Sequence, residues 1–390
     1  MKKRVAVITS TRAEFGLLLP VIKELKKHEN NEFEVHLVVT GTHLSEEYGH
    51  TVDEIEKFDL QINHIITIPV KTSSSLDISN NQAQTLVKFT ELFEKEKYNA
   101  IVILGDRYEM LAVAIAAGNT HTPICHLCGG DTTEGAIDEW IRHSISKMSY
   151  LHFVTNEESY RRIIQLGEDP SRVFNYGSTS IDNAINIANM GKEEALNSLG
   201  LNNCDYAICT YHPVTMEDGD IKGQIDDFLQ AIISFPEIQF IVTKSNADQG
   251  GALINELLDH ADSEVDNLHV YSSLGVVRYL SLMKCAEFVL GNSSSGIIEA
   301  PAFKVPVVNI GDRQKGRLQA GNIINCESDK ESIIEAIKHA RSKEFKEICN
   351  NIICPYGDGH AAEKIAAKIF TVISKENINL KKSFYNLNNF

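Results

Sequence analysis

Short apolar runs of strand length recur along the first half of the chain: Val5–Ile8, Val35–Val39, Ile101–Leu104, Ile124–Leu127 and Leu151–Val154. Their hydrophobicity is continuous, not alternating, as a parallel strand covered on both faces requires. Between them lie Leu17–Lys27, Ala83–Lys95 and Met110–Ala117, whose apolar residues return every three or four positions and predict helices with one buried stripe. Strand and helix in alternation predict an α/β fold built on a doubly wound parallel sheet with right-handed crossovers. A second series, Tyr206–Thr210, Gln239–Thr243, His269–Tyr271, Phe288–Gly291 and Val307–Ile310, predicts another sheet of the same class. The stretch between the two series, Asp182–Ser198, reads as polar helix, and Leu199–Asp205 as loop. The organisation expected is a first domain over residues 1–185, a second over 186–372 and a tail over 373–390, whose Asn-rich end Lys381–Phe390 is expected to fray. Two open α/β sheets joined in this way are expected to bind a ligand in a cleft at the carboxyl edges of their strands.

Charge narrows the ligand. The 390 residues carry 37 Lys and Arg against 53 Asp and Glu, a formal charge of −16. That balance argues against nucleic acid as the main partner, because phosphate backbones are met by an excess of cationic side chains. An anionic ligand must then be held locally. No uninterrupted apolar run approaches the roughly 18 residues of a membrane span, so no membrane partner is expected. Thr9–Arg12 end the apolar run Val5–Ile8 too early for a signal-peptide core, and it reads as a strand. Eight cysteines without repeated spacing fit reduced thiols in a cytoplasmic protein.

Five segments carry candidate chemistry. Thr9–Gly16 joins the first strand to a helix; its small hydroxyl residues and backbone N–H groups suit an anion, with Arg12 as a bidentate donor, or else form an ordinary capped βα turn. Leu104-Gly105-Asp106-Arg107 sets a carboxylate at a strand end, as a cleft group or a helix cap. The densest segment, His126–Gly135 followed by Asp138–His143, includes Asp131, Glu134, Asp138 and Glu139 with two histidines. Carboxylates this crowded shift one another's pKa values and so hold base and acid in one site. On a helix, Asp138 and Arg142 share a face, either as part of that site or as a solvated ion pair. Cys125, His126 and Cys128 lack the second ligand pair of a closed zinc site, so no metal is expected. His212, fixed by Pro213 at a strand exit, suits phosphate contact or acid–base work. Gly291–Pro301 repeats the strand, Ser/Gly turn and helix start, with Ser293 and Ser294 as donors and Glu299 placed for ribose hydroxyls, and Arg313 follows the next strand.

In this order and spacing, STRAEFGLL, LGDR, GGDTTEGAIDEWIRHSISKMS, YHPVT, GNSSSGIIEAP, GDRQKGR and YGDG resemble the UDP-N-acetylglucosamine 2-epimerase family over about residues 3–373. The closer likeness is to its hydrolysing branch in bacterial sialic acid synthesis. The resemblance implies two Rossmann-like domains in the glycosyltransferase-B arrangement, with the site in the inter-domain cleft and a C-terminal helix returning to the first domain. It also implies anti elimination of UDP across C1–C2 followed by syn hydration, converting UDP-N-acetylglucosamine and water to N-acetylmannosamine and UDP without a cofactor. Asp106, Asp131, Asp138 and His212 would then be catalytic. Arg12, Ser293, Ser294 and Arg313 would hold the diphosphate, Glu299 the ribose and Asn246 the nucleotide. The chain departs from relatives at Leu17, a Lys in non-hydrolysing members, at Cys128, where several place Glu or His, and at Asp131, usually Glu. A homo-oligomer, dimer or tetramer, is implied as well. The rival substrate within the branch is UDP-N,N'-diacetylbacillosamine, used for legionaminic acid synthesis. The rivals from other classes are a glycosyltransferase of the same architecture and a non-catalytic nucleotide-sugar binding protein.

Overall fold

The computed structural model describes residues 2–46, 50–132, 137–212, 221–245, 251–375 and 378–387. The chain forms two compact units, Met1–Asp182 with Gly359–Phe390, and Asn183–Asp358. No helix among the described residues is long and apolar enough to cross a membrane.

The first unit holds seven parallel strands: β1 Lys3–Thr9, β2 Phe33–Thr40, β3 Ile62–Ile66, β4 Ala100–Leu104, β5 Ile124–Leu127, β6 Leu151–Val154 and β7 Val173–Asn175, in the order β3-β2-β1-β4-β5-β6-β7. Continuous apolar sequence makes both faces of the central strands core. Val5, Val7, Leu37 and Val102 pack under helices Arg12–Lys27 and Ala361–Lys375, while Ala6, Ile8, Val38 and Ile101 pack under Ser75–Glu96 and Tyr108–Asn119. The last helix is anchored by Asp182, whose two carboxylate oxygens accept from the amides of Ala361 and Ala362 at 3.1 and 2.8 Å. A carboxylate on the exposed donors of a helix N-terminus satisfies both the hydrogen bonds and the dipole.

The second unit holds six parallel strands: β8 Tyr206–Thr210, β9 Gln239–Thr243, β10 Leu268–Tyr271, β11 Phe288–Gly291, β12 Val307–Ile310 and β13 Ile323–Cys326, in the order β10-β9-β8-β11-β12-β13. At Gly291, φ is +132° and an added Cβ would lie 2.0 Å from the carbonyl oxygen of Thr210, so only glycine lets β11 run this close to β8.

All ten strands read from the apolar runs are present. The three that escaped that reading, β3, β7 and β13, lie at sheet edges, where one flank is half open and the sequence turns polar, as in Ile62-Asn63-His64. The stretch Asp182–Ser198, read as polar helix, is occupied by two helices, Thr179–Ile187, which starts three residues before it, and Lys192–Asn197. The chain end also differs from expectation, because residues 381–387 are docked on the first unit instead of frayed. Lys382 Nζ donates to Glu168 at 2.6 Å and to the carbonyls of Ser149 and Lys147 at 2.7 and 2.9 Å, and the Phe384 ring lies against Gly167 with Lys147 Nζ 4.6 Å from its centre.

Candidate active site

Strand order reverses once in each sheet, between β1 and β4 and between β8 and β11. A crevice opens at the carboxyl ends of strands on either side of such a reversal, because the two connections leave in opposite directions. Four of the five sequence segments fall at these two points: Thr9–Gly16 after β1, Gly105–Arg107 after β4, Tyr211-His212 after β8 and Asn292–Ser294 after β11. The fifth follows β5, next to β4.

After β1, Thr11 caps the helix Arg12–Lys27 and Glu14 reaches back in a capping box. Glu14 Oε2 accepts from the Ser10 amide, the Ser10 hydroxyl and the Thr11 amide at 2.8, 2.7 and 3.2 Å. Two of the backbone donors that an anion would seek are therefore already taken by the protein's own carboxylate. The Ser10 hydroxyl lies 2.9 Å from Glu109 Oε1, which accepts from Arg107 Nε at 2.6 Å. Burial, with Glu109 adding to it, pushes the Glu14 carboxyl up to about 7. Among the described residues, Glu14 Oε1 and Glu109 Oε2 are buried without a hydrogen-bond partner. Arg12 stands outside this network, its Nε 3.6 Å from Glu54 and its side chain 75% exposed.

Asp106 and Asp131 are brought together by Arg142. That residue lies on helix Ile137–Met148 and is 5% exposed. Its Nε donates to Asp106 Oδ2 at 2.9 Å and its Nη2 to the same oxygen, while Nη1 donates to the Asp131 carbonyl at 2.7 Å and to Glu139 at 3.4 Å. Asp131 Oδ1 accepts from the hydroxyls of Thr155 and Ser159 at 3.0 and 2.5 Å. Asp138, exposed on the same helix, has its carboxyl pushed up from the usual carboxylate range by partial desolvation and by the nearby charge of Asp106. Cys128 sits at φ +62° and its thiol is held protonated, first by burial and then by Asp131 and Asp106. Beside it His126 is a fixed structural group. Nε2 meets the Gly105 carbonyl at 2.8 Å, Nδ1 meets the Ser146 hydroxyl at 3.2 Å, and burial lowers its pKa to about 3, so the ring is neutral.

In the second unit, His212 is 6% exposed, with Nδ1 3.1 Å from the Ser245 hydroxyl. Asn292 ties the two strand ends together: its Oδ1 accepts from the His212 amide at 2.7 Å and its Nδ2 donates to the His212 carbonyl at 2.8 Å. The Asn292 carbonyl in turn accepts from Arg313 Nη1 at 3.1 Å and Gln314 Nε2 at 2.8 Å. Ser293 caps the short helix Ser294–Ile298, and Glu299 ends it. Asn246 lies outside the described residues, as do residues 133–136 and 213–220.

Three features are at most partly legible in the sequence. Arg142 reads either as part of the site or as an ion-pair partner of Asp138 four residues away, and in the structure it turns inward to Asp106, a partner that neither reading names. Asn292 carries no signal beyond its place after a strand. The Ser10, Glu14 and Glu109 network was half legible, since Thr11-Arg12-Ala13-Glu14 is a capping-box sequence.

Two Rossmann-like parallel sheets, each with charged and hydroxyl side chains gathered at its strand-order reversal, define an α/β protein of the glycosyltransferase-B-like class. The chain belongs to the UDP-N-acetylglucosamine 2-epimerase family, whose model matches residues 23–370. It is 40% identical over 348 residues to the GDP/UDP-N,N'-diacetylbacillosamine 2-epimerase (hydrolyzing) of Campylobacter jejuni subsp. jejuni serotype O:2, covering 89% of each chain. It is 35% identical to polysialic acid biosynthesis protein P7 of Escherichia coli, over 99% of this chain and 98% of that one. In fold it matches the crystal structure of UDP-GlcNAc 2-epimerase from Neisseria meningitidis bound to UDP-GlcNAc, with a TM-score of 0.77, 20% identity and coverage of 94% and 100%.

Proposed function

We propose that this chain is a hydrolysing 2-epimerase of a UDP-linked amino sugar, and that the sugar is N,N'-diacetylbacillosamine. The observation that carries the choice of sugar is the 40% identity with the Campylobacter hydrolysing enzyme across 89% of both chains, while the family match supports the UDP carrier. In the reaction a carboxylate takes H-2, the C1–O bond to UDP breaks to leave a 2-acetamidoglycal, and water then returns a hydroxyl to C1 and a proton to C2. H-2 is weakly acidic, so the base must be fixed in place, and the leaving diphosphate needs donors that strengthen as its charge grows. Asp106, Asp131 and Asp138 form the acid–base set in this reading. Arg142 fixes Asp106, and the raised pKa of Asp138 makes it hold a proton more readily than an ordinary aspartate. His212, Arg12, Ser293, Ser294 and Arg313 serve the diphosphate, with Glu299 and Asn246 on the nucleoside.

A second reading is supported by the likeness to polysialic acid biosynthesis protein P7: UDP-N-acetylglucosamine as substrate and N-acetylmannosamine as product, for sialic acid synthesis. Parallel incubations with the two UDP-sugars in deuterated water separate the possibilities. UDP release with solvent deuterium at C2 from the diacetamido sugar supports the first reading, and turnover of UDP-N-acetylglucosamine alone supports the second. UDP release with no deuterium at C2 refutes epimerisation and favours a glycosyltransferase of the same fold.

A further inference from the structure

Away from the strand-order reversal, the first unit gathers a second group of polar side chains at the opposite, amino-terminal side of its sheet. His36 on β2, His64 on β3 and Glu96, the last residue of helix Ser75–Glu96, each present a ligand-type atom, and these atoms lie within 4.8 Å of one another. The strand register places Arg4, Glu34 and His36 on the sheet face that this helix covers. Two imidazoles and a carboxylate from three separate elements are the donor set of a borderline first-row dication. We infer that His36, His64 and Glu96 form a binding site for a zinc-class divalent metal ion.

The surrounding contacts suit that use. His36 is 8% exposed, and its Nδ1 lies 3.1 Å from the Tyr98 hydroxyl. A ligating imidazole is normally held by a partner on its other nitrogen, which fixes the ring plane and the tautomer. With Nδ1–H donating to Tyr98, the Nε2 lone pair is left for a ligand, on the side where Glu34 Oε2 stands 3.6 Å away. Glu96 divides its oxygens: Oε2 is held by Arg4 Nη1 at 3.2 Å, and Oε1 faces His64 Nε2 at 3.9 Å. Zinc bonds of about 2.0–2.2 Å in a tetrahedron set donors about 3.3 Å apart, so a modest rotation of the partly buried His64 and Glu96 side chains closes the set. Glu34 or a water completes it as fourth ligand. The opposing charges are Arg4, which also lies 3.5 Å from Glu34, and Lys2, 3.8 Å from Glu34. They cap the affinity by repelling a second cation.

Because the site joins β2, β3 and a helix end and lies on the other side of the sheet from Asp106, its metal ties an open sheet edge together and plays no part in turnover. The test uses the full chain stripped by a chelator, then titrated with Zn²⁺ by calorimetry and with Co²⁺ by visible absorption. One saturable site, a rise in Tm with Zn²⁺ and a tetrahedral Co²⁺ band are expected. His64→Gln and Glu96→Gln should abolish all three while UDP release stays as in the unsubstituted protein. Arg4→Gln should tighten binding by about tenfold, the effect of removing one unit charge at this range from a partly buried site. No saturable binding, or binding unchanged in His64→Gln, overturns the assignment.

Discussion

Arg142 offers the sharpest test of how the candidate site is held. Arg142→Met keeps most of the aliphatic stem and removes the guanidinium. Asp106 then loses both its donors, and the Asp131 carbonyl loses its 2.7 Å bond. Removing one partner of a fully buried ion pair costs about 3–5 kcal/mol, because the other charge is stranded. Here the arginine side chain is 6% exposed but that of Asp106 is 27% exposed, so water recovers part of the loss. The expected cost is therefore about 2–3 kcal/mol. The single tryptophan, Trp140, lies two residues away on the same helix, so its fluorescence in a urea titration reports the unit that carries the substitution. Asp106→Asn, made alone and together with Arg142→Met, completes a cycle whose coupling should be about 1.5 kcal/mol or more. A coupling below about 0.5 kcal/mol, the limit within which independent sites add, would falsify the view that Arg142 is the clamp of Asp106.

Other residues give equally direct checks. Gly291→Ala should destabilise the second unit by at least about 3 kcal/mol, seen as loss of soluble yield or a lowered melting transition, since the new methyl meets the Thr210 carbonyl. Glu14 has a folded-state pKa of about 7 against an unfolded value of 4.5, so its protonated form favours the fold below pH 4.5 and that favour is lost as pH rises through 7. Glu14→Gln should therefore gain stability relative to the unsubstituted chain between those pH values, by up to about 3 kcal/mol, and melting curves with a pH-independent difference would contradict this. Burial alone would raise the pKa of Glu168, but hydrogen bonds from His152, Lys147 and Lys382 hold it down to about 2. Lys382→Met should thus destabilise the first unit by about 2 kcal/mol at neutral pH, with a deficit that shrinks as pH falls from 4.5 toward 2, measured by hydrogen exchange at Ser149 and Gly167.

The parts of this fold that were legible in the sequence are those where one local rule dominates. Central strands such as Val5–Ile8 and Ile101–Ile103 are buried on both faces, and nothing but continuous apolar sequence fits there. Edge strands obey a mixture of rules. β3 carries Asn63 because its side chain accepts from the Leu37 amide at 2.9 Å across a bulge, and that polar residue hides the strand from a hydrophobic pattern. At the candidate site, the positions after strands were readable because chain reversal concentrates glycine, serine and aspartate there. Partnerships were not. Arg142 and Asp106 are 36 residues apart, and which carboxylate a buried arginine selects depends on how a helix is rotated against its sheet. The docking of Lys382 on Glu168, 214 residues away, has no local signature at all.

The return of the chain at Gly359 has a bearing on biosynthesis. Helix Ala361–Lys375 supplies Ile365, Ala366, Ile369 and Ile373 to the same core as Val5, Leu18 and Phe33, so the second unit is an insertion between two parts of the first. During translation, which delivers the amino terminus first, the apolar flank of β1, β2 and helix Arg12–Lys27 waits uncovered until the last fifteen-residue helix leaves the ribosome. The inserted unit has all its described strands by Cys326 and the helix that covers its core, Lys330–Arg341, soon after, both ahead of the helix that closes the first unit.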